Sequence, residues 1–247
     1  MSVTTLQCSV EALETLSGDV SRVTLRLPGE GVPYAPGQYL ELRIEVEGHE
    51  RWIPFSIGNA FRGDGLIELH ILKVAESASN RALHQRLQLG ETFDVRLPKG
   101  DSVFRLGDTE PLLLIAAGTG FAQMKSIAEA VLAHSPEHEI DLWWAARTPD
   151  ELYLDELPRQ WAATYPNVHY HPVVEEAPDE DVDVLVERVD RALARELTAT
   201  RHYSVYLSGS PGMVYAVVDA LDAIEPLTER VFSDVFSYAP RTSKEKG

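Results

Sequence analysis

The stretch PLLLIAAGTGF, residues 111–121, decides the fold of this chain. Its apolar part, Pro111–Ala117, is nearly continuous, which is typical of a parallel strand buried on both faces. A helical pattern follows from about Phe121 to His134. The turn between strand and helix, Gly118-Thr119-Gly120, brings two glycines and several free amides to a helix N-terminus, a geometry that binds diphosphates. The turn alone leaves an unliganded strand-to-helix connection open, because Gln123 stands where the full dinucleotide fingerprint has a third glycine.

The alternation of strand and helix continues on the C-terminal side of this stretch. We predict strands at Ile140–Ala146, Val168–Val174 and Tyr203–Ser208, and helices at Asp150–Thr164, Val182–Glu196 and Pro211–Ile224. Such alternation predicts βαβ units and a parallel sheet. A second glycine turn, residues 208–212, follows the last strand, and ligands of open α/β sheets collect beyond the carboxyl ends of the strands. The two turns are therefore expected to face one site, which favours a dinucleotide over two empty loops.

Before residue 108 the chain consists of short strands. They are rich in β-branched and aromatic residues, with Gly or Pro between most of them, and lie at Gln7–Val10, Ser21–Leu27, Tyr39–Val46, Trp52–Ile57, Leu66–Val74 and Thr92–Leu97. One helix, Ser79–Leu89, interrupts them. This pattern predicts an antiparallel barrel. The predicted fold class is a two-domain β-barrel plus α/β protein, with the barrel over residues 1–107 and a parallel-sheet nucleotide-binding domain over residues 108–247.

Composition excludes several kinds of function. The chain has 247 residues, a net charge of −17 and a single cysteine, Cys8. One thiol permits neither an intramolecular disulfide nor a thiolate-built metal or iron–sulfur site, so redox chemistry needs an organic cofactor. His169 and His171 share a strand face without a third ligand of suitable spacing, and we expect no metal. The negative charge disfavours nucleic acid as a partner. With neither a signal-like start nor an apolar run of the roughly 20 residues that cross a bilayer, we expect a cytoplasmic protein without a membrane span.

One barrel strand carries a candidate ligand contact. Pro54 removes a ladder donor from the apolar segment Trp52–Ile57, so we expect an edge or bulged strand that a ligand can reach. Phe55 can stack on a flat ring or pack in the core, and Ser56 can hydrogen-bond the edge of such a ring. The residues alone leave both interpretations of Phe55 open.

Six short motifs occur together in a recognisable order. They are Tyr34–Leu40, Pro54-Phe55-Ser56, Ile67–Ile71, Leu97–Gly100, Leu114–Phe121 and Phe232–Phe236. In this order they resemble the ferredoxin–NADP⁺ reductase superfamily, and most closely its NAD(P)H:flavin oxidoreductase branch. The resemblance runs from Leu6 to about Tyr238. It implies a flavin-binding barrel, a nicotinamide-binding α/β domain, and hydride transfer from nicotinamide C4 to flavin N5.

The resemblance also implies roles for individual residues. The flavin would lie against Pro54, Phe55 and Ser56, with Ser56 near N5, and its tail would follow His70, Leu72, Lys73 and Val74. The NAD(P)H diphosphate would be cradled by Gly118, Thr119 and Gly120, and the nicotinamide ribose would be bordered by Ser208, Gly209 and Met213. The other flavin face would be covered by Phe236 or Tyr238. Arg147 falls near the adenosine ribose, where it can meet a 2′-phosphate or remain a surface charge. The choice between NADH and NADPH therefore stays open.

One departure from the superfamily pattern bears on the flavin. Relatives carry an arginine two residues before the aromatic of the flavin motif, where it meets the phosphate of FMN or FAD, and this chain has Ile53 there. We therefore expect weak flavin binding, with FAD, FMN and riboflavin all open as ligands. Two enzymatic roles follow. The chain is an NAD(P)H:flavin reductase that releases reduced flavin to another, flavin-using enzyme, or it retains FAD and passes electrons to a ferredoxin or oxygenase. A module that senses flavin or nicotinamide without turnover is a third interpretation.

Overall fold

The computed structural model describes residues 2–177, 183–199, 202–227 and 229–241. Its N-terminal part is a six-stranded sheet of β1 (Thr4–Thr15), β2 (Val20–Arg26), β3 (Tyr39–Val46), β4 (His49–Ser56), β5 (Leu66–Leu72) and β6 (Thr92–Lys99). The strands pair antiparallel in the order β4-β3-β6-β1-β2-β5. One helix, α1 (Ala78–Arg86), lies between β5 and β6 in the chain.

This first sheet curls around its own apolar face. Alternate residues of each strand point inward, as Leu40, Leu42 and Ile44 of β3 do, and they are fully buried. The edge strands β4 and β5 come close to each other, and the Gly58 amide just after β4 donates to the Glu68 carbonyl of β5 over 2.7 Å. The predicted antiparallel barrel is therefore confirmed as a curled half-barrel.

The C-terminal part is a second six-stranded sheet in which every pair is parallel. It contains β7 (Leu112–Ala117), β8 (Ile140–Ala146), β9 (Val168–Val174), β10 (Leu185–Val186), β11 (Ser204–Ser208) and β12 (Val231–Phe232), in the order β10-β9-β8-β7-β11-β12. Five α-helices accompany them in the described residues: α2 (Phe121–His134), α3 (Glu156–Thr164), α4 (Val189–Glu196), α5 (Pro211–Ile224) and α6 (Val235–Tyr238). This confirms the predicted parallel sheet.

Helices cover both faces of the second sheet. In β7, Leu112 and Leu114 pack into the core cluster that contains α2, whereas Leu113 and Ile115 pack into the cluster that contains α4 and α5. Burial on both faces explains why the sequence of this strand is continuously apolar.

Two predicted helices begin later than expected. Pro149–Glu151 forms a 3₁₀ turn, and α3 starts only at Glu156, so Asp150 is not an α-helical N-cap. In the segment predicted as a helix from Val182, β10 extends the sheet by pairing Leu185 with Val173, and α4 starts after it. Val182 itself lies outside the described residues. Pairing with an exposed sheet edge, which periodicity does not reveal, prevails over the local helical pattern here.

Candidate active site

A cleft of about 720 Å³ opens between the half-barrel and the parallel sheet. One wall comes from β3, β4 and β5, and the other from the carboxyl ends of β7 and β11 together with the segment around α6. Its volume lies in the range of small-molecule sites. Eleven of the residues predicted for the site line this cleft: Pro54, Phe55, Ser56, His70, Leu72, Val74, Thr119, Gly120, Ser208, Gly209 and Tyr238, which was predicted as an alternative to Phe236.

The barrel wall presents the strand that contains the proline. β4 is an edge strand, as Pro54 predicts, and the side chain of Pro54 is exposed. Phe55 packs against the barrel core and also lines the cleft, so its two interpretations are compatible. Ser56 ends the strand opposite Tyr39 of β3. Ile53, at the position of the superfamily arginine, packs against the barrel core.

On the opposite wall the two glycine turns touch each other. A β-carbon on Gly120 would lie 2.4 Å from the Ser208 carbonyl oxygen, so only glycine permits this approach. A β-carbon on Gly209 would lie 2.3 Å from the terminal methyl of Met213 and 3.1 Å from the β-carbon of Ala117. The ends of β7 and β11 therefore meet in the cleft, as their positions in the sequence predict.

Three predicted residues lie behind this wall or beside it. Gly118 has a left-handed φ of 53°, and its carbonyl accepts a hydrogen bond of 3.0 Å from Trp144 Nε1. Met213 packs beneath Gly209 and does not line the cleft. Phe236 packs in the α/β core, whereas Tyr238 lines the cleft and is 65% exposed. Of the two C-terminal aromatics, Tyr238 is the one placed to cover a ligand.

The two predicted cationic residues lie outside the lining. Lys73 follows β5 with an exposed side chain, and its amide donates to the Asp19 carbonyl over 2.7 Å. Arg147 follows β8, is exposed, and donates its amide to the Glu151 carboxylate over 3.0 Å. Neither residue is among those that line the cleft.

Sequence reasoning missed a carboxylic acid that lines the cleft, Asp234. Gln123 Nε2 donates to Asp234 Oδ2 over 3.1 Å and to the Gly37 carbonyl over 2.6 Å. Burial raises the pKa of Asp234 to about 6, although the hydrogen bond from Gln123 opposes the shift. Asp234 belongs to the motif Phe232–Phe236, so its position in the sequence could have indicated a site residue. Only an aromatic residue of that motif was predicted to contact the flavin. An acid with this pKa can supply a proton near neutral pH.

The charge of the cleft is one-sided. Among the described residues, its ionisable side chains of low intrinsic pKa are Glu41, Asp101 and Asp234, and it contains neither Lys nor Arg. Burial lowers the pKa of His70, which favours its neutral form. Lys99 stands nearby, but its ammonium is paired with Glu41 at 2.8 Å. On the described lining residues, a ligand phosphate would therefore meet carboxylates and neither lysine nor arginine.

These residues fit a flavin ring and a nicotinamide dinucleotide. An apolar edge strand provides a flat wall, the glycine turn places backbone amides opposite it, and hydroxyls of Thr119, Ser208 and Ser210 offer donors. The described residues contain no group of three or more His, Cys, Asp or Glu side chains arranged as metal ligands.

Comparison with protein families assigns one cofactor to each half of the chain. A family model described as an oxidoreductase FAD-binding domain matches residues 7–104, and one described as an oxidoreductase NAD-binding domain matches residues 114–219. The protein is thus an oxidoreductase with a flavin-binding and a nicotinamide-binding half. Among the described residues, no helix combines the length and apolarity needed to cross a membrane.

Individual relatives place the chain more closely. The NAD(P)H-flavin reductase of Vibrio harveyi is 32% identical over 240 residues, which cover 95% of this chain and 99% of that protein. Reductase component 1 of terephthalate 1,2-dioxygenase from Comamonas is 31% identical, and this chain spans only 66% of its length. The cytochrome P450 reductase GcoB of Amycolatopsis superposes with a TM-score of 0.83 at 27% identity, over 93% of this chain and 69% of that one. The chain belongs to the ferredoxin reductase family.

Proposed function

We propose that the protein is an NAD(P)H:flavin reductase that binds flavin as a substrate and releases it reduced to a flavin-using enzyme, with the cytoplasm as its location. The cation-free cleft carries this proposal. FMN and FAD bring phosphates, and tight retention of either needs charge-assisted contacts that Glu41, Asp101 and Asp234 do not provide. Ile53 supplies no substitute, because its side chain is apolar and packs against the barrel core.

In this proposal each wall serves one reactant. Pro54 and Phe55 support the flavin ring and Ser56 hydrogen-bonds its N5 edge, while His70, Leu72 and Val74 border its tail. Gly118-Thr119-Gly120 binds the NAD(P)H diphosphate, Ser208 and Gly209 border the nicotinamide ribose, and Tyr238 takes the covering role in place of Phe236. Lys73, Arg147 and Met213 drop out of the proposed contacts. We assign these roles to domains at residues 1–107 and 108–247, because each sheet keeps to one side of this boundary.

The chemistry needs one hydride and one proton. When both are bound, NAD(P)H would supply the hydride from nicotinamide C4 with its electron pair and the flavin would accept it at N5, so that NAD(P)H is oxidised to NAD(P)⁺ as the flavin is reduced. The protein contributes proximity and orientation. Asp234 lines the cleft and has its pKa raised to about 6 by burial, so in this proposal it would hold the proton that balances the charge of the reduced ring.

A second candidate function keeps FAD bound and passes electrons to a protein. It is supported by the similarity to the Comamonas dioxygenase reductase component, although this chain spans 66% of that protein. The partner would then be an electron-accepting enzyme.

One experiment separates the two functions. Extensively dialysed protein is mixed with NADH or NADPH, and the loss of reduced nicotinamide is followed after adding riboflavin, FMN or FAD in turn. We expect colourless protein and turnover that depends on added flavin. Protein that keeps stoichiometric FAD through dialysis and does not turn over added flavin contradicts the proposal and supports the second function. No oxidation with any flavin supports the non-catalytic interpretation.

A further inference from the structure

A buried polar cluster joins the half-barrel to the α/β part directly behind the cleft. It consists of Glu68 and His70 on β5, Lys125 and Glu129 on α2, and Tyr153 between the 3₁₀ turn and α3. The side chain of Lys125 is 6% exposed and that of His70 is 0% exposed. Of these five residues, the proposed chemistry uses only His70, as part of the cleft wall.

Lys125 is held by acceptors from both parts of the molecule. Its Nζ donates to the Gly58 carbonyl over 2.9 Å, and it pairs with Glu68 Oε1 at 3.2 Å and Glu129 Oε1 at 2.7 Å. An ammonium has three protons, so this set satisfies it completely. Because an unpaired buried charge is strongly destabilising, the position of α2 on the barrel is tied to this full set.

His70 and Tyr153 form a second hydrogen-bonded contact between the half-barrel and the α/β part. His70 Nε2 donates to Glu68 Oε1 over 2.6 Å, which leaves Nδ1 to accept from the Tyr153 hydroxyl over 2.9 Å. Burial would raise the pKa of Glu68, but the hydrogen bond from His70 and the charge of Lys125 outweigh it and hold that pKa at about 2. Glu68 is therefore an ionised acceptor for both neighbours.

The cluster lies between the contacts of the two reactants. Gly58 follows Ser56 by two residues, and Lys125 follows Gly120 by five, which is about 7.5 Å along a helix. Contact is close here: a β-carbon on Gly58 would lie 3.2 Å from the Glu68 carbonyl oxygen and 3.6 Å from the β-carbon of Ala122 on α2. A shift of α2 against this loop would move the nicotinamide turn relative to the flavin strand.

We propose that Lys125 is a positioning residue that sets the distance between the nicotinamide and the flavin. This inference rests on the proposed hydride transfer. Reacting atoms must approach to about 3–3.5 Å, and a displacement of about 1 Å costs up to roughly a hundredfold in rate. Lys125 is not among the residues that line the cleft. Its effect should therefore appear in the hydride-transfer step and not in substrate affinity.

The test compares two methionine variants. Lys125→Met keeps the length of the side chain and removes its charge; we expect kcat to fall at least about tenfold while KM for NAD(P)H and for riboflavin changes less than about threefold. The isotope effect with 4-deuterated nicotinamide should rise, because hydride transfer becomes more rate-limiting. Arg159→Met is the matched control, since it breaks ion pairs with Asp155 and Asp183 within the α/β part and should leave kcat unchanged.

A second variant covers the case in which Lys125→Met does not fold. Gly58→Ala keeps every charge and inserts one methyl where the gap to Glu68 is tight, so it should also lower kcat with little change in KM. A kcat of folded Lys125→Met within about twofold of wild type overturns the inference. If that variant does not fold, an unchanged kcat for Gly58→Ala overturns it. Wild-type protein that oxidises no NAD(P)H with any flavin refutes the proposed function itself, a result distinct from either of these.

Discussion

We expect the Leu72→Arg variant to bind FMN and FAD, which carry phosphate, more tightly than riboflavin, whereas the wild-type cleft should bind the three flavins with similar affinity. Leu72 lines the cleft and is 42% exposed, so an arginine there need not bury its charge. A charge-assisted hydrogen bond to phosphate stabilises a complex by about 1.5–3 kcal/mol, and solvent screening at an exposed site reduces the gain toward the lower value. We therefore expect Kd for FMN to fall about tenfold while Kd for riboflavin stays nearly constant.

The assay is a binding titration of riboflavin, FMN and FAD to wild type, Leu72→Arg and the neutral control Leu72→Gln, at low and high salt. Only the arginine variant should gain affinity for FMN and FAD, and high salt should weaken that gain. Ile53→Arg should gain less and lose folding stability, because Ile53 packs against the barrel core. Wild-type protein that already prefers FMN over riboflavin about a hundredfold would refute the reasoning, since a cation outside the lining would then hold the phosphate.

Three further predictions concern residues of the cleft and the buried cluster. Ser56→Ala should raise the barrier by about 1–3 kcal/mol, seen as a lower kcat with unchanged flavin affinity; an unchanged kcat removes Ser56 from the site. Asp234 acts in its protonated form, so kcat should decline as the pH rises through about 6, and Asp234→Asn should lower kcat and abolish this limb in a pH–rate profile. Glu68 has a folded pKa of about 2, which is below its unfolded value. Its contribution to folding stability is therefore present above the unfolded pKa and is lost as the pH falls toward 2. Denaturant unfolding across this pH range should show this loss of stability in wild type and a smaller loss in Glu68→Gln.

Much of the fold is encoded in local periodicity. The apolar run of β7 and the alternation of β3 follow from burial on two faces and on one face, which a sequence displays directly. The strands β10 and β12 are only two residues long and exist because a neighbouring edge offers hydrogen-bond partners. No periodicity develops over two residues, so these strands could not be predicted.

The cleft was predicted less completely than the fold, for a similar reason. Position in a motif predicted Ser56 and Gly120 as site residues, and both line the cleft. The role of a charged side chain, in contrast, depends on which residues lie opposite it in space. The sequence alone does not distinguish Lys125 from an exposed lysine on a helix. The structure shows that its ammonium contacts Glu68, Glu129 and the Gly58 carbonyl. Tertiary contacts of this kind leave no mark in a single sequence.

Gly120 has a packing role in addition to the ligand contact predicted for it. The glycine was expected to admit a diphosphate, yet the structure already requires it, because a β-carbon would lie 2.4 Å from the Ser208 carbonyl oxygen. A bulky substitution there would separate β7 from β11 whether or not a ligand binds. The glycine turn alone therefore does not distinguish nicotinamide binding from packing. The case for the nicotinamide rests instead on the match of residues 114–219 to an oxidoreductase NAD-binding domain, and on a cleft of about 720 Å³ that packing alone does not demand.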